Sequence, residues 1–267
     1  MAKQKETGKA LANWDQELAD QAAVAAKMEE GTAGGTFFSV RGGQLTFNDA
    51  PLPGNQMAVV VLDSIMENVY YEGKFDPDDI TGPACFAFGR DLKDMAPHEL
   101  ATDKQATVCA ECPQNEWGSA DTGRGKACSN RRRLALIPAG TFNDATGKFE
   151  PILEEAHYTT AQMAFLKLPV TSVKGYAAVV QQVASGLKRP PHGVFMKFKV
   201  VPDAKTQFRV LTEPLAAIPN ELMTAIMARH EEARGVIDFP YTPYVESEEA
   251  PAPKKAKGKA APKKRKY

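Results

Sequence analysis

Four cysteines and a run of arginines carry the chemistry open to this chain. Cys109 and Cys112 have two residues between them, and Cys128 follows after fifteen more. Two thiolates at that spacing can hold one ion from a tight turn, and a third from a returning segment brings the set close to a tetrahedral zinc site. The fourth ligand is expected at Cys85, with 23 residues between it and Cys109, and His98, with ten residues between, is the alternative. Zinc accepts either thiolate or imidazole. A site with four protein ligands is closed, so the metal reads as structural. It would pin the polar loop Asn115 to Lys126 and add its binding free energy to folding.

Around this block stand Arg124, Lys126, Arg131, Arg132 and Arg133, with Trp117 in the same loop. Long cations beside a rigid turn suit phosphates, and an indole offers a face on which a base can stack. A second candidate surface comes from the alternation Val194 to Val201. Val194, Met196, Phe198 and Val200 share one face, and Phe195, Lys197 and Lys199 share the other, with Arg209 across a hairpin. Tyr70 and Tyr71 could add rings. An aromatic and three cations on one face of a sheet make a platform for a single strand.

Enzyme signatures are absent from the sequence: there is no Gly-rich phosphate loop with its lysine, no HExxH and no GxSxG. His157, His192 and His230 are scattered. A non-enzymatic protein is therefore expected. The formal charge of zero hides a division, because Lys254 to Lys266 hold eight bases and no acid, leaving 25 bases against 33 acids in an acidic body. A basic tail suits a polyanion. Apolar residues make up 43% of the chain, no apolar run reaches the length of a membrane span, and the polar start lacks a signal-peptide core. The reading is a cytosolic protein with reduced thiols and no membrane partner.

The elements that must position these residues follow from periodicity. Leu11, Trp14, Leu18, Ala25 and Met28 recur at helical spacing, so Leu11 to Glu30 reads as an amphipathic helix, packed on its own domain or docked on a second copy. Strands TFFSV and QLTF flank Gly42 and Gly43 as a hairpin, and Met57 to Leu62 and Leu134 to Ile137 are apolar strand runs. Phe142 to Phe149 reads as a hairpin turn. Tyr158 to Leu166 is expected as a helix, and Thr171 or Ser172 as the cap of another that stops at Gly186. Strands Val194 to Val201 and Thr206 to Leu211 pair around PDAKT, and Asn220 to Arg234 is a last helix. The expected class is α+β, mainly β.

Cys85, then CxxCPxNxWGSxxxGxGKxC, then the arginine run, then LPVTSVKGY and a late KFKV hairpin, together resemble a family of tailed-phage proteins akin to phage single-stranded DNA-binding proteins. The likeness runs from about Gly35 to Ile218. It implies an OB-type barrel with an inserted zinc ribbon, binding single strands during phage replication or recombination in the cytoplasm of the infected bacterium, with replication or recombination proteins as further partners. Such proteins end in an acidic tail, whereas this chain ends in APKKRKY, which also looks like a nuclear-import signal.

The domain reading is an N-terminal helical arm over residues 1–34, an OB-type domain over 35–245 with its zinc-binding insertion at about 81–133, and a disordered basic tail over 246–267. Two functions from different classes compete: single-stranded DNA binding, and a zinc-stabilised module that acts on host or replisome proteins.

Overall fold

A computed structural model describes residue 21 and residues 37–73, 81–121 and 123–241. Nearly all of the N-terminal arm and all of the basic tail lie outside those residues.

The chain begins with β1 (Phe37–Arg41), β2 (Gln44–Phe47) and β3 (Ala50–Pro51), then runs into β4 (Gln56–Tyr70) and β5 (Cys85–Gly89). After the cysteine loop come β6 (Ser129–Phe142), β7 (Phe149–Pro151), α1 (Glu155–Thr160), β8 (Ala164–Leu168) and α2 (Val170–Gly186). The hairpin β9 (Val194–Asp203) and β10 (Gln207–Ala217) leads to α3 (Met223–Val236). These form one mixed sheet of ten strands in the order β10-β9-β4-β6-β8-β1-β2-β3, with β5 paired to β4 and β7 to β6. The fold is α+β and mainly β. All described pairings are antiparallel except β1 with β8.

Strand β4 explains the layering. Its run Met57 to Leu62 is buried residue after residue, because both faces are covered. Val59, Val61, Leu134, Leu136 and Met196 pack with Tyr176 and Val183 of α2 on one side. Val60, Leu62, Ala135 and Ile137 pack with Ala225 and Ile226 of α3 on the other. The expected hairpins at Gly42–Gly43 and at PDAKT are present.

Two expectations are corrected. Tyr158 to Leu166 is not a single helix: the helix ends at Thr160, and Ala164–Leu168 is a strand whose Ala164, Leu166 and Leu168 are buried while Phe165 and Lys167 take the opposite face. Its partners β6 and β1 supply ladders that outweigh the helical preference of a five-residue segment. Ser172 does not cap α2 either, since its hydroxyl accepts the Val210 N–H at 2.9 Å and so ties the helix to β10.

Gly140 marks the irregularity where β6 shifts register against β4 and also carries β7. Its φ is 149°, and a Cβ there would stand 2.2 Å from the Glu150 carbonyl oxygen. Gly140→Ala is therefore expected to cost about 2–3 kcal/mol, read as a lower midpoint in denaturant with unchanged slope.

Candidate metal centre and nucleic-acid interface

The four cysteines arrive from three places. Cys85 opens β5 opposite Tyr70 of β4, Cys109 opens a 3-10 turn with Cys112 closing it, and Cys128 precedes β6. All are buried free thiols, and together they line one cavity of about 10 Å³. That is room for about one small sphere. The loop between them lacks an apolar core and is laced by polar bonds. Asn115 Nδ2 donates to the Cys109 carbonyl at 2.8 Å, Cys128 N–H to Gln114 O at 2.8 Å, and Ala127 N–H to Ser119 Oγ at 2.9 Å.

Burial pushes the thiols up, Cys109 to about 11 and Cys128 to about 12, and the neighbouring sulfurs push in the same direction. Cys85 is raised by burial too, against a backbone hydrogen bond from Gln105. Asn68, buried, lines the same cavity, and its Nδ2 has no hydrogen-bond partner among the described residues. Amide donors on sulfur favour thiolate, the form that ligates a metal. Four thiols with such donors form the kind of set that zinc takes. Among the described residues no three ligating side chains are closed into a coordination shell as they stand, so an ion would have to draw the sulfurs inward. His98 lies off the cavity. Its ring stacks on Phe86 at 4.9 Å, and its Nδ1 accepts the Leu100 N–H.

The arginine run is divided by the strand it enters. Arg133, expected at a phosphate, is wholly buried: it pairs with Glu67 and lies between the rings of Phe88 at 4.3 Å and Phe239 at 4.1 Å. It cannot reach a nucleic acid. Arg132 is half-buried with its side chain on the other face, and a cleft of about 300 Å³ beside Cys109 is lined by Lys126, Asn130, Arg131 and Arg132. Arg124 is exposed, and Trp117 is 80% exposed with Lys126 Nζ 5.7 Å from its ring centre. Tyr71 is exposed at the end of β4, while Tyr70 is half-buried and lines the cysteine cavity.

The hairpin platform needs two corrections. Phe195 does not face outward, because α3 covers that side of the sheet and the ring is buried edge-on to Phe149 at 5.4 Å. Its cations are also engaged: Lys197 pairs with Glu213 at 2.8 Å, and Arg209 lies 3.7 Å from Asp203. Lys199 is half-buried. Nor do these residues face the cysteine loop. Arg131 lies opposite Glu67 and Lys197 opposite Ala58 on β4, nine residues apart, which is roughly 30 Å at the rise of a strand.

Two cations absent from the sequence reading, Arg41 and Lys167, instead join Arg131 around a larger cleft of about 870 Å³. The signal for Lys167 was the alternation in AFLKL, which puts it beside the arginines of β6; Arg41 carries no such signal. Among the described residues no helix is long and apolar enough to cross a membrane. No protein-family model, curated protein or solved structure matches this chain.

Proposed function

We propose that this chain binds single-stranded DNA without acting on it chemically, on a surface shaped by a structural zinc at Cys85, Cys109, Cys112 and Cys128. Zinc held by four thiolates anchors a loop and leaves no open position for substrate. The observation that carries the reading is the placement of Lys126, Arg131 and Arg132 around one cleft against the cysteine loop, in a body whose acids outnumber its bases. Phosphates lie along these cations, and Trp117 and Tyr71 offer exposed ring faces beside them. We read the sheet as an OB-type barrel. Support comes from the approach of its two ends, where a Cβ on Gly43 of the β1–β2 turn would stand 3.9 Å from the Phe208 Cβ of β10. On the likeness of its cysteine block we propose a role in tailed-phage replication or recombination, inside the infected bacterium.

The test is anisotropy of a labelled polythymidine oligonucleotide titrated with the full chain. Three phosphate contacts give a slope of about −2 for log affinity against log salt, so affinity falls roughly twentyfold between 50 and 200 mM. No binding at low salt, or binding indifferent to salt, sinks the reading. Binding that vanishes wholly on deleting Lys254 to Tyr267 favours the protein-interaction module, with only the tail on nucleic acid.

A further inference from the structure

The larger cleft is made by a local separation in the sheet. Among the described residues strand β1 pairs with β8 through Phe37 with Phe165 and Phe38 with Leu166. Beyond that point β1 turns into β2, while β8 runs on to Pro169, so the sheet opens between Ser39–Arg41 and Lys167–Val170. The opening holds about 870 Å³, within the range of sites that take a nucleotide-sized group.

Its lining is cationic in a way the packing does not explain. Arg41 comes from β1, Arg131 from β6 and Lys167 from β8, and the acid on the wall is Asp49. Among the described residues none of the three cations makes an ion pair. Glu67 is committed to Arg133 beneath them. Gathering like charges without a counter-charge costs free energy that an anion would recover. Lys167 is half-buried against rings. Its ammonium lies 4.1 Å from the Tyr241 ring centre and 5.7 Å from that of Phe37, and burial pulls its pKa down to about 8, with Arg133 and Arg131 pulling the same way against Glu67. The seventeen-residue helix α2 starts at the same wall, with Pro169 and Val170 in the lining and no side-chain cap on its first turn. That end adds partial positive charge. Phe37 and Phe208 supply ring surface.

Resting on the proposed DNA-binding function, we infer that the single strand runs from the cysteine loop past Arg131 into this cleft, where Arg41 and Lys167 hold its phosphates. Arg131 lines both clefts, so the two form one track: Lys126 and Arg132, then Arg131, then Lys167 and Arg41. The β9–β10 hairpin is not on it. Bases that follow this track meet Phe37 and Phe208 rather than Phe195.

The test compares the full-length wild type, the double variant Arg41→Gln/Lys167→Met and the hairpin variant Lys199→Gln/Arg209→Gln on a polythymidine oligonucleotide. The track predicts that the cleft variant loses roughly tenfold or more in affinity and about 1.4 in salt slope, while the hairpin variant stays within about twofold of wild type. A second readout uses the wild type alone, so it does not depend on variant folding. Bound oligonucleotide is expected to protect Lys167, but not Lys199, from amine acylation followed by mass spectrometry. Salt-dependent wild-type binding with an unchanged cleft variant, or an unprotected Lys167, overturns the track and leaves DNA binding standing. Displacement of the oligonucleotide by an equal concentration of thymidine monophosphate overturns it in favour of a mononucleotide pocket. A wild type that does not bind sinks the parent reading together with the track.

Discussion

Removing the proposed zinc with a chelator, or replacing Cys109 or Cys128 by serine, is expected to lower the melting temperature by about 10 °C and to abolish tight oligonucleotide binding. The reason lies in what holds the segment between β5 and β6. Its apolar contacts are few: Met95 packs with Ala87 and Cys109, and Ala101 with Cys85 and Phe86. The rest is hydrogen bonding within the loop, which exchanges for water at modest net gain. A ligand present at a thousand times its dissociation constant adds about 4 kcal/mol, and at 2–4 °C per kcal/mol that is about 10 °C in a chain of this size. Lys126 and Arg132 sit on or against that loop, so the loop's disorder would also remove the smaller cleft. Metal analysis of the purified protein with thermal melts in chelator checks this. Zinc added back should restore the wild type and leave the serine variants low. His98→Ala should keep its zinc and lose the stack on Phe86 and the hydrogen bond from the Leu100 N–H. A metal-free protein whose melting ignores chelator would end the zinc reading.

How far the sequence could be read depended on whether a residue's environment was local. The β9–β10 hairpin was legible because alternation and a turn sit within one short stretch. The cysteine block was legible because ligand spacing is itself a local geometric constraint, and the four thiols do line one cavity. Strand β4 was legible at Met57 to Leu62 and again in the strand character of Val69 to Tyr71, but not as one continuous strand. Its second half, DSIMENVY, carries two acids whose partners come from elsewhere: Arg90 chelates Asp63 with two hydrogen bonds, and Arg133 meets Glu67. Strand β8 was missed for the same reason, since its five residues become a strand only when β1 and β6 flank them. The three arginines look equivalent in sequence. Period two sends Arg132 to one face and Arg131 and Arg133 to the other, but which is buried depends on Phe239 and Tyr241, beyond the last helix. Phe195 was placed outward because α3 could not be foreseen above it.

Arg133→Met is expected to destabilise the fold by about 3–5 kcal/mol, a melting shift of about 10 °C, without touching the salt slope of DNA binding. Glu67 is fully buried, and its Oε1 accepts from Arg133 and from the Tyr241 hydroxyl at 2.8 Å. The guanidinium also donates to the carbonyls of Ile237 at 3.1 Å and Phe239 at 2.6 Å, fastening the chain after α3 back onto the sheet. Methionine fills the slot between Phe88 and Phe239 but leaves a carboxylate without its cation and two carbonyls without a donor. Lysine is not expected to rescue, because one ammonium cannot reproduce the fork or the stacking of the guanidinium between two rings. The double variant Arg133→Met/Glu67→Met should recover most of the loss, since an apolar pair of similar volume replaces a buried ion pair at little cost. Arg131→Gln supplies the contrast: its melting temperature should match wild type while its salt slope falls by about 0.7. Denaturant midpoints and oligonucleotide titrations on these four variants separate the roles. If Arg133→Met melts like wild type, or if it flattens the salt dependence as Arg131→Gln does, then Arg133 belongs to the DNA surface and the assignment of it to the core fails.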